Sequence, residues 1–437
     1  MGVAAGRELP GADNPKTRRL NILISAYACE PGKGSEPGVG WNVVVEMARR
    51  HEVWAITREN NRAVIEAELV HNPVPSLHLV YHDLPQWGRW WKRGARGIRL
   101  YYYLWQLALY PVVRRLERKI RFDVTNHVTF VKYWTPSLLP FLRAPFVWGP
   151  VGGGESAPKS FEVTCGWRGR IYEMVRRMAR WWGERDPLVL VAARRSVLAL
   201  AVTEETAQRL RAMGAKHVEI VSAVGLSTTE QSSLADLCVP GAGDPVRFLS
   251  LGNMLHLKGF HLGLRAFAAA DVPRSEYWFV GDGPFLKNLQ HLARRLGVEE
   301  KVHFWGALPR ADALVKLASC HVLVHPSLHD SGGWVCLEAM AAGKPVLCLD
   351  LGGPGAQVTT ETGIKILARD PKRAVDAMAQ AMSRLANDPA LRARMGQAGK
   401  DRVASVYAWE RKADLLSALY QQVAGTSAKP WLERVLS

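Results

Sequence analysis

Apolar positions along the chain alternate between two habits: short continuous runs, and longer segments in which they recur every three to four residues. Residues 20–26 (LNILISA) form the first run, of the kind that makes a buried parallel strand. A glycine-rich segment follows, and then a helical period over 41–48. Further runs at 51–57, 77–81, 122–128 and 144–148 predict four more strands. Residues 197–203 predict a strand, 204–213 a helix and 217–221 another strand. Repeated alternation of strand and helix argues for a parallel α/β sheet.

Residues 227–245 (STTEQSSLADLCVPGAGDP) break the pattern, being rich in Ser, Thr, Gly and Pro without a clear period, and read as a linker. The alternation then restarts. Strands are expected at 246–251, 277–281, 302–305, 322–324 and 345–349, with helices at 259–270, 285–296, 311–318 and 335–342. From 374 onward the chain is mainly helical. The expected organisation is an N-terminal Rossmann-like domain over 18–228 and a second, C-terminal one over 245–405. A helical crossover over 406–437 would return to the first domain.

Length agrees, since 437 residues exceed one ordinary core. The hydrophobic share of 48% and charged share of 22% are ordinary for a folded soluble body. The longest apolar stretch, 100–113, is interrupted by Gln106 and Pro111 and falls short of the roughly 20 residues a bilayer crossing needs. The opening MGVAAGRELPGADNPKTRR has no apolar core of the secretory kind, so a cytoplasmic location is expected. The six cysteines, Cys29, Cys165, Cys238, Cys320, Cys336 and Cys348, are scattered without a CxxC pair and read as reduced core thiols rather than disulfides or zinc ligands.

Net charge changes the picture. It is +17, and it is uneven: residues 87–121 hold ten basic side chains against one acid, Glu117. A second basic, aromatic stretch covers 167–195. Trp90, Trp91, Tyr101, Tyr102, Tyr103, Trp105, Trp181 and Trp182 interleave with the cations, a composition suited to an anionic membrane surface. A solvated face over an aromatic core would give the same composition. A nucleic-acid partner is not expected, although a basic surface attracts any polyanion.

Four segments carry candidate chemistry, each placed directly after an expected strand, where open α/β sheets bind ligands. The first, CEPGKGSEPGVGWN (29–42), offers Glu36 to acceptor hydroxyls and Gly38 and Gly40 to a tight, ligand-side backbone. In the second, GNMLHLKG (252–259), Lys258 can set an ammonium on a phosphate. The third, VGDGP (280–284), supplies a turn at Gly283. The fourth, HPSLHDSGGWVCLEAMAAGKPVLC (325–348), separates Asp330 from Glu338 by seven residues. Gly332 and Gly333 can aim amides at a diphosphate where a helix begins near Trp334, and Glu338, an acid on an otherwise apolar helix, can accept from ribose hydroxyls.

The second, third and fourth segments, together with LARRLGVEEKVHFWGAL between them, resemble in order and spacing the retaining glycosyltransferase family 4 of the GT-B fold; the resemblance covers nearly the whole chain and is strongest over 248–346. The resemblance implies α/β architecture with two Rossmann-like doubly wound parallel-sheet domains facing across a cleft and a C-terminal helix crossing back. It implies a hexosyl transfer with retention, a nucleotide-sugar as co-substrate, no cofactor and no essential metal. Lys258 then corresponds to the diphosphate lysine, and Asp330 and Glu338 to the two acids of the E-x7-E motif, one at the donor sugar and one at the ribose. Gly332 and Gly333 supply loop amides, Leu308 the base-contacting wall, and His127, in NHVTF, the active-site histidine. Two departures stand out. Asp330 replaces the usual Glu, and Asn253 stands where Arg commonly precedes the lysine, removing a bidentate phosphate clamp.

The expected activity is transfer of a sugar to a lipid-linked or surface-polysaccharide precursor, by a protein peripheral at the inner face of the membrane. A nucleotide-sugar epimerase of GT-B fold and a non-catalytic sugar-nucleotide-binding protein are the alternatives.

Overall fold

The computed structural model describes residues 18–89, 91, 97–156, 158–161, 166–237 and 244–425. Seven strands build the first sheet: β1 (Asn21–Ser25), β2 (Glu52–Thr57), β3 (Leu77–Tyr81), β4 (Val124–His127), β5 (Phe146–Val151), β6 (Ser196–Ala201) and β7 (Val218–Ile220). All pair in parallel, in the order β3-β2-β1-β4-β5-β6-β7. The second sheet holds β8 (Val246–Leu251), β9 (Ser275–Val280), β10 (Val302–Phe304), β11 (Val322–His325), β12 (Val346–Leu349) and β13 (Gly363–Ile366). It too is parallel, ordered β10-β9-β8-β11-β12-β13. β13 was not expected from the sequence: it is short, and Lys365 interrupts its apolar run.

Both orders reverse once, between β1 and β4 and between β8 and β11. Loops leaving neighbouring strands at such a reversal part to opposite faces and open a crevice at the carboxyl ends. The two crevices face each other, which gives the two Rossmann-like domains of the GT-B architecture. Burial on both faces explains why the central strands read as continuous apolar runs; Ile22, Leu23 and Ile24 are fully buried, as are Leu323 and Val324.

Three expectations need correction. The segment 227–245 is not aperiodic throughout, because it opens with the helix Thr228–Ala235. Ser227 and Glu230 form a reciprocal capping box there, and only Leu234 is buried, so no apolar stripe marks the helix. The first helix spans Ser35–Ala48, six residues earlier than its apolar period, since its opening turns are the Pro-Gly-rich stretch read as loop. Finally, the aromatics of 87–121 do not form one outer face: Trp87 is 79% exposed, but those that follow it in the next helix turn inward. In the helix Ile98–Lys119, Tyr101, Trp105, Leu109 and Val113 recur every fourth residue and, with Tyr102, pack into the core. Trp90 and residues 92–96 lie outside the described residues.

Cys29, Cys320, Cys336 and Cys348 are buried free thiols, each with its acidity suppressed by burial. Cys165, Cys238 and residues 426–437 lie outside the described residues. No helix among the described residues is long and apolar enough to cross a membrane.

The last described helix, Trp409–Val423, returns to the first domain and packs on Ser35–Ala48. Asp414 pairs with Arg50 at 2.7 Å, and Ser417 Oγ lies 2.8 Å from His51 Nε2. Lys412 is buried, and its Nζ donates to the carbonyls of Ser222 (2.6 Å) and Val224 (2.7 Å), just after β7. Desolvation pushes its ammonium down to about 7.

Candidate active site

The cleft between the two sheets encloses a cavity of about 500 Å³, lined from both domains at the carboxyl ends of their strands. From the first domain come Ser35 and Glu36 after β1, Lys132 after β4 and Gly152 after β5. The second contributes Asn253 and Lys258 after β8, Arg310 after β10, and Asp330, Gly332, Gly333, Trp334 and Glu338 after β11.

Asp330 is the hub of the donor side. Its Oδ2 accepts from Lys258 Nζ at 2.6 Å and lies 3.0 Å from His325 Nε2. Its Oδ1 accepts from the backbone N–H groups of Gly332 (3.2 Å) and Gly333 (2.9 Å). Burial alone would raise the carboxyl; the Lys258 charge and the His325 hydrogen bond outweigh it and hold Asp330 well below the usual carboxylate range. The two loop amides expected to face a diphosphate are therefore taken up by Asp330 itself. A side chain one methylene shorter than Glu suits this curl back onto its own loop.

Glu338 sits in the helix Trp334–Ala341, its side chain only 5% exposed. Arg310 Nη1 pairs with it at 2.7 Å. Burial pushes the Glu338 carboxyl up to about 7, with Arg310 opposing. Arg310 also reaches the first domain: a Cβ built on Gly34 would lie 2.7 Å from its Nη1. The sequence reading missed this residue; its one signal was a cation opening the helix Arg310–Ala318, just past HFWGAL.

Glu36 accepts a short hydrogen bond from Phe130 N–H, which ties the start of the first helix to the loop after β4. Burial raises its carboxyl, partly offset by that N–H and by Lys132. Gly38 and Gly40 do not line the cavity. A Cβ on either would lie 2.0 Å from a carbonyl oxygen, of Lys33 or Ala28, so glycine is required there for packing of the helix against its loop. Gly283 and Leu308 also lie off the cavity wall; Gly283 N–H is held by Asp282 and Leu308 packs against the core.

His127 is at the end of β4 but fully buried below the cleft, and the structure does not bring it to the cavity. Its Nε2 lies 2.7 Å from Tyr102 Oη and 3.2 Å from Gln106 Nε2. Burial pushes the imidazole down to about 3, so it is neutral. His127→Ala is expected to cost about 1–3 kcal/mol of stability through the stranded hydroxyl and amide. A fall in Tm with little change in donor KM is the expected pair of readings; an unchanged Tm with a large KM rise would assign it to the site instead.

Glu155, also missed, joins the domains. It is 3% exposed, and its carboxylate accepts from Thr203 Oγ1 (3.0 Å), Thr206 Oγ1 (3.1 Å), Gly153 N–H (3.0 Å) and, across the cleft, Ser331 Oγ (2.7 Å). Its signal was the Gly-Gly-Gly run at 152–154 immediately after β5.

Residues 240–402 match the family described as glycosyl transferases group 1. The lipopolysaccharide core biosynthesis glycosyltransferase LpsD of Rhizobium meliloti is 29% identical over 205 residues, 46% of this chain and 57% of that protein. This chain spans about half the length of the curated relatives it matches. The sucrose-phosphate synthase of Thermosynechococcus elongatus superposes with a TM-score of 0.65 over 94% of this chain and all of that one, at 18% identity. Anabaena HepE, solved with UDP and glucose, gives 0.56 over 92% of this chain and 100% of its own, at 16% identity. At those identities the likeness is one of fold.

Proposed function

We propose that this chain, whose residues 240–402 match the group 1 glycosyl transferases, transfers a sugar from a nucleotide-sugar to an acceptor with retention, as family 4 enzymes do. The observation that carries the reading is the convergence of Lys258, Asp330 and Glu338 on the donor wall of one interdomain cavity. HepE's complex with UDP and glucose supports a nucleotide-sugar as the donor class.

In this reading the donor diphosphate takes over the Lys258 ammonium, while Asp330 keeps His325 and the two glycine amides and so holds the loop beside the sugar. Glu338 accepts from ribose hydroxyls. Arg310, released from Glu338, supplies a second cation near the diphosphate, where Asn253 offers none. The acceptor hydroxyl attacks the anomeric carbon from the diphosphate's own face. The new bond joins acceptor oxygen to that carbon, the carbon–oxygen bond to the diphosphate breaks, and the hydroxyl proton passes to a diphosphate oxygen. Fixed cations aimed at the developing charge are the main catalytic contribution, and no step requires a metal or a protein base.

A thermal-shift screen against nucleotide-sugars tests the donor, because a ligand that binds only the folded state raises Tm by mass action. No shift with any nucleotide-sugar would defeat the proposal. Turnover of donor to an isomer without acceptor would assign an epimerase.

The raised carboxyl of Glu338 sets a pH dependence. Its folded value of about 7 lies above its ordinary 4.5, so the proton stabilises the folded state, and that contribution is lost as pH rises from 4.5 through 7. Ribose hydroxyls need the ionised form. Donor affinity is therefore expected to tighten as pH rises from 6 to 7.5, by up to about tenfold per unit below the pKa. Calorimetric titration across that range checks it, and Glu338→Gln is expected to flatten the profile.

The acceptor is proposed to be lipid-linked, with the helix Gly166–Gly183 resting on an anionic membrane. Ile171, Met174, Val175, Met178, Trp181 and Trp182 are spaced along one face of this helix and are all about half exposed or more, beside exposed Arg170 and Arg177. Flotation with phosphatidylglycerol vesicles at low salt is expected to carry the protein upward. Failure to float would remove the membrane from the proposal and leave the donor chemistry standing.

A further inference from the structure

Beside the donor cleft lies a second cavity, of about 290 Å³, between the helix Gly166–Gly183 of the first domain and the loops after β8 and β11. Its wall includes Lys159, Arg176, Arg177, Arg180 and Arg209 against two acids, Glu173 and Glu184. Both acids are already engaged. Glu173 lies 3.6 Å from Arg176 and 3.3 Å from His329; Glu184 lies 3.2 Å from Arg209 and accepts from Tyr133 Oη at 2.7 Å.

Arg180 is the informative member. It is 7% exposed, and its guanidinium donates to Tyr133 Oη (2.7 Å), Ser156 Oγ (2.5 Å) and the Gly154 carbonyl (2.9 Å). Each partner is neutral, and among the described residues no carboxylate pairs with it. The guanidinium also lies over the rings of Tyr133 (5.3 Å) and Trp134 (5.8 Å), and Glu184 reaches it only through the Tyr133 hydroxyl; a buried cation with no carboxylate in direct contact, beside an open cavity lined by further cations, offers a place for an anion.

The cavity is separated from the donor cleft by single residues. His329 and Leu257, in its wall, precede Asp330 and Lys258. Glu155 gives its backbone carbonyl to Arg176 Nη2 at 3.0 Å and its carboxylate to Ser331. Trp181, in the same wall, belongs to the exposed apolar stripe.

We infer that this cavity seats a phosphoryl group carried by the acceptor, holding it against Arg180, Arg176 and Lys159 while the acceptor's sugar hydroxyl enters the donor cleft. Guanidinium forks match phosphate oxygens in geometry, and the adjoining apolar stripe suits a lipid attached beyond the phosphoryl group. The inference rests on the transferase reading and adds the acceptor's chemistry to it.

Inorganic pyrophosphate is the probe, titrated calorimetrically into the full chain. Lys258→Ala weakens the donor cleft, so binding that remains in that variant reports the second cavity. Adding Lys159→Glu, a rim residue whose change does not threaten folding, or Arg180→Gln is expected to weaken the remaining binding by roughly tenfold or more. Loss of all pyrophosphate binding on Lys258→Ala alone, or indifference to both added changes, would overturn the inference. In the Lys258→Ala background, displacement of pyrophosphate by glucose 1-phosphate supports a soluble phosphorylated acceptor, and displacement by a short prenyl diphosphate in detergent micelles supports a lipid-carried one. Displacement by neither overturns it. A wild-type chain that binds this probe but no nucleotide-sugar would fail the transferase reading alone.

Discussion

Lys258→Ala is expected to lower kcat for sugar transfer by about 10²–10³-fold, the usual loss when one preorganised group facing a developing negative charge is removed. The ammonium is fixed before substrate arrives: its Nζ is 2.6 Å from Asp330, on a side chain 21% exposed, at the end of a short helical turn that precedes Phe260–Ala270. Removing it has a second effect. Asp330 loses the partner that chiefly keeps its buried carboxyl ionised, leaving His325 and two amides to do so. Donor KM should therefore rise together with the fall in kcat, and Lys258→Arg, which keeps the charge but spreads it, should recover only part of the rate. Steady-state transfer assays at saturating acceptor separate these terms. Transfer at the wild-type rate in Lys258→Ala would show that the nucleoside diphosphate leaves from somewhere else.

Glu155→Ala is the second large effect. Its carboxylate gathers four donors, three from the first domain and Ser331 from the second. Truncation leaves a buried backbone N–H and three hydroxyls to find other partners, at a cost of about 3–5 kcal/mol, comparable to breaking a buried charged network. Because Ser331 begins the Ser-Gly-Gly loop, the loss is also expected to loosen the donor loop. Glu155 acts through that loop, as a positioning residue. A fall in Tm of several degrees with a kcat loss of more than about tenfold is expected. Glu155→Gln, which keeps two polar atoms in the same place, should restore much of the Tm and a part of kcat. Loss of Tm with kcat intact would make the residue a structural clamp only.

Much of this arrangement was written locally. Parallel strands buried on both faces declare themselves as apolar runs, so β8, β9, β11 and β12 were located within a residue or two, and residues directly after them fall in the cleft: Asn253, Lys258, Asp330, Gly332 and Gly333. Glu338 was visible because an acid on an apolar helix needs a reason. What local pattern does not carry is the partner. The Arg310–Glu338 pair and the Glu155–Ser331 bond join segments 28 and 176 residues apart, and nothing in either segment names the other. His127 illustrates the same limit: the resemblance placed it at the active site, while its burial depends on Tyr102 and Gln106 from a helix whose apolar stripe says that it faces a core but not which one. The tyrosines and tryptophan of that helix were ambiguous for a related reason, since cations on one face and aromatics on the other suit a bilayer or a protein interior equally.

The returning helix Trp409–Val423 has a consequence for synthesis. The first sheet and its flanking helices leave the ribosome long before Lys412, Asp414 and Ser417, the residues that cover Ser35–Ala48 and hold the strand end at Ser222–Val224. The face awaiting them stays uncovered until residues 409–423 have been made, so the first domain cannot complete its packing before that helix is available. Nascent chains stalled before residue 409 should thus hold an incompletely protected N-terminal half, and docking of the helix Trp409–Val423 becomes the step that locks both halves together.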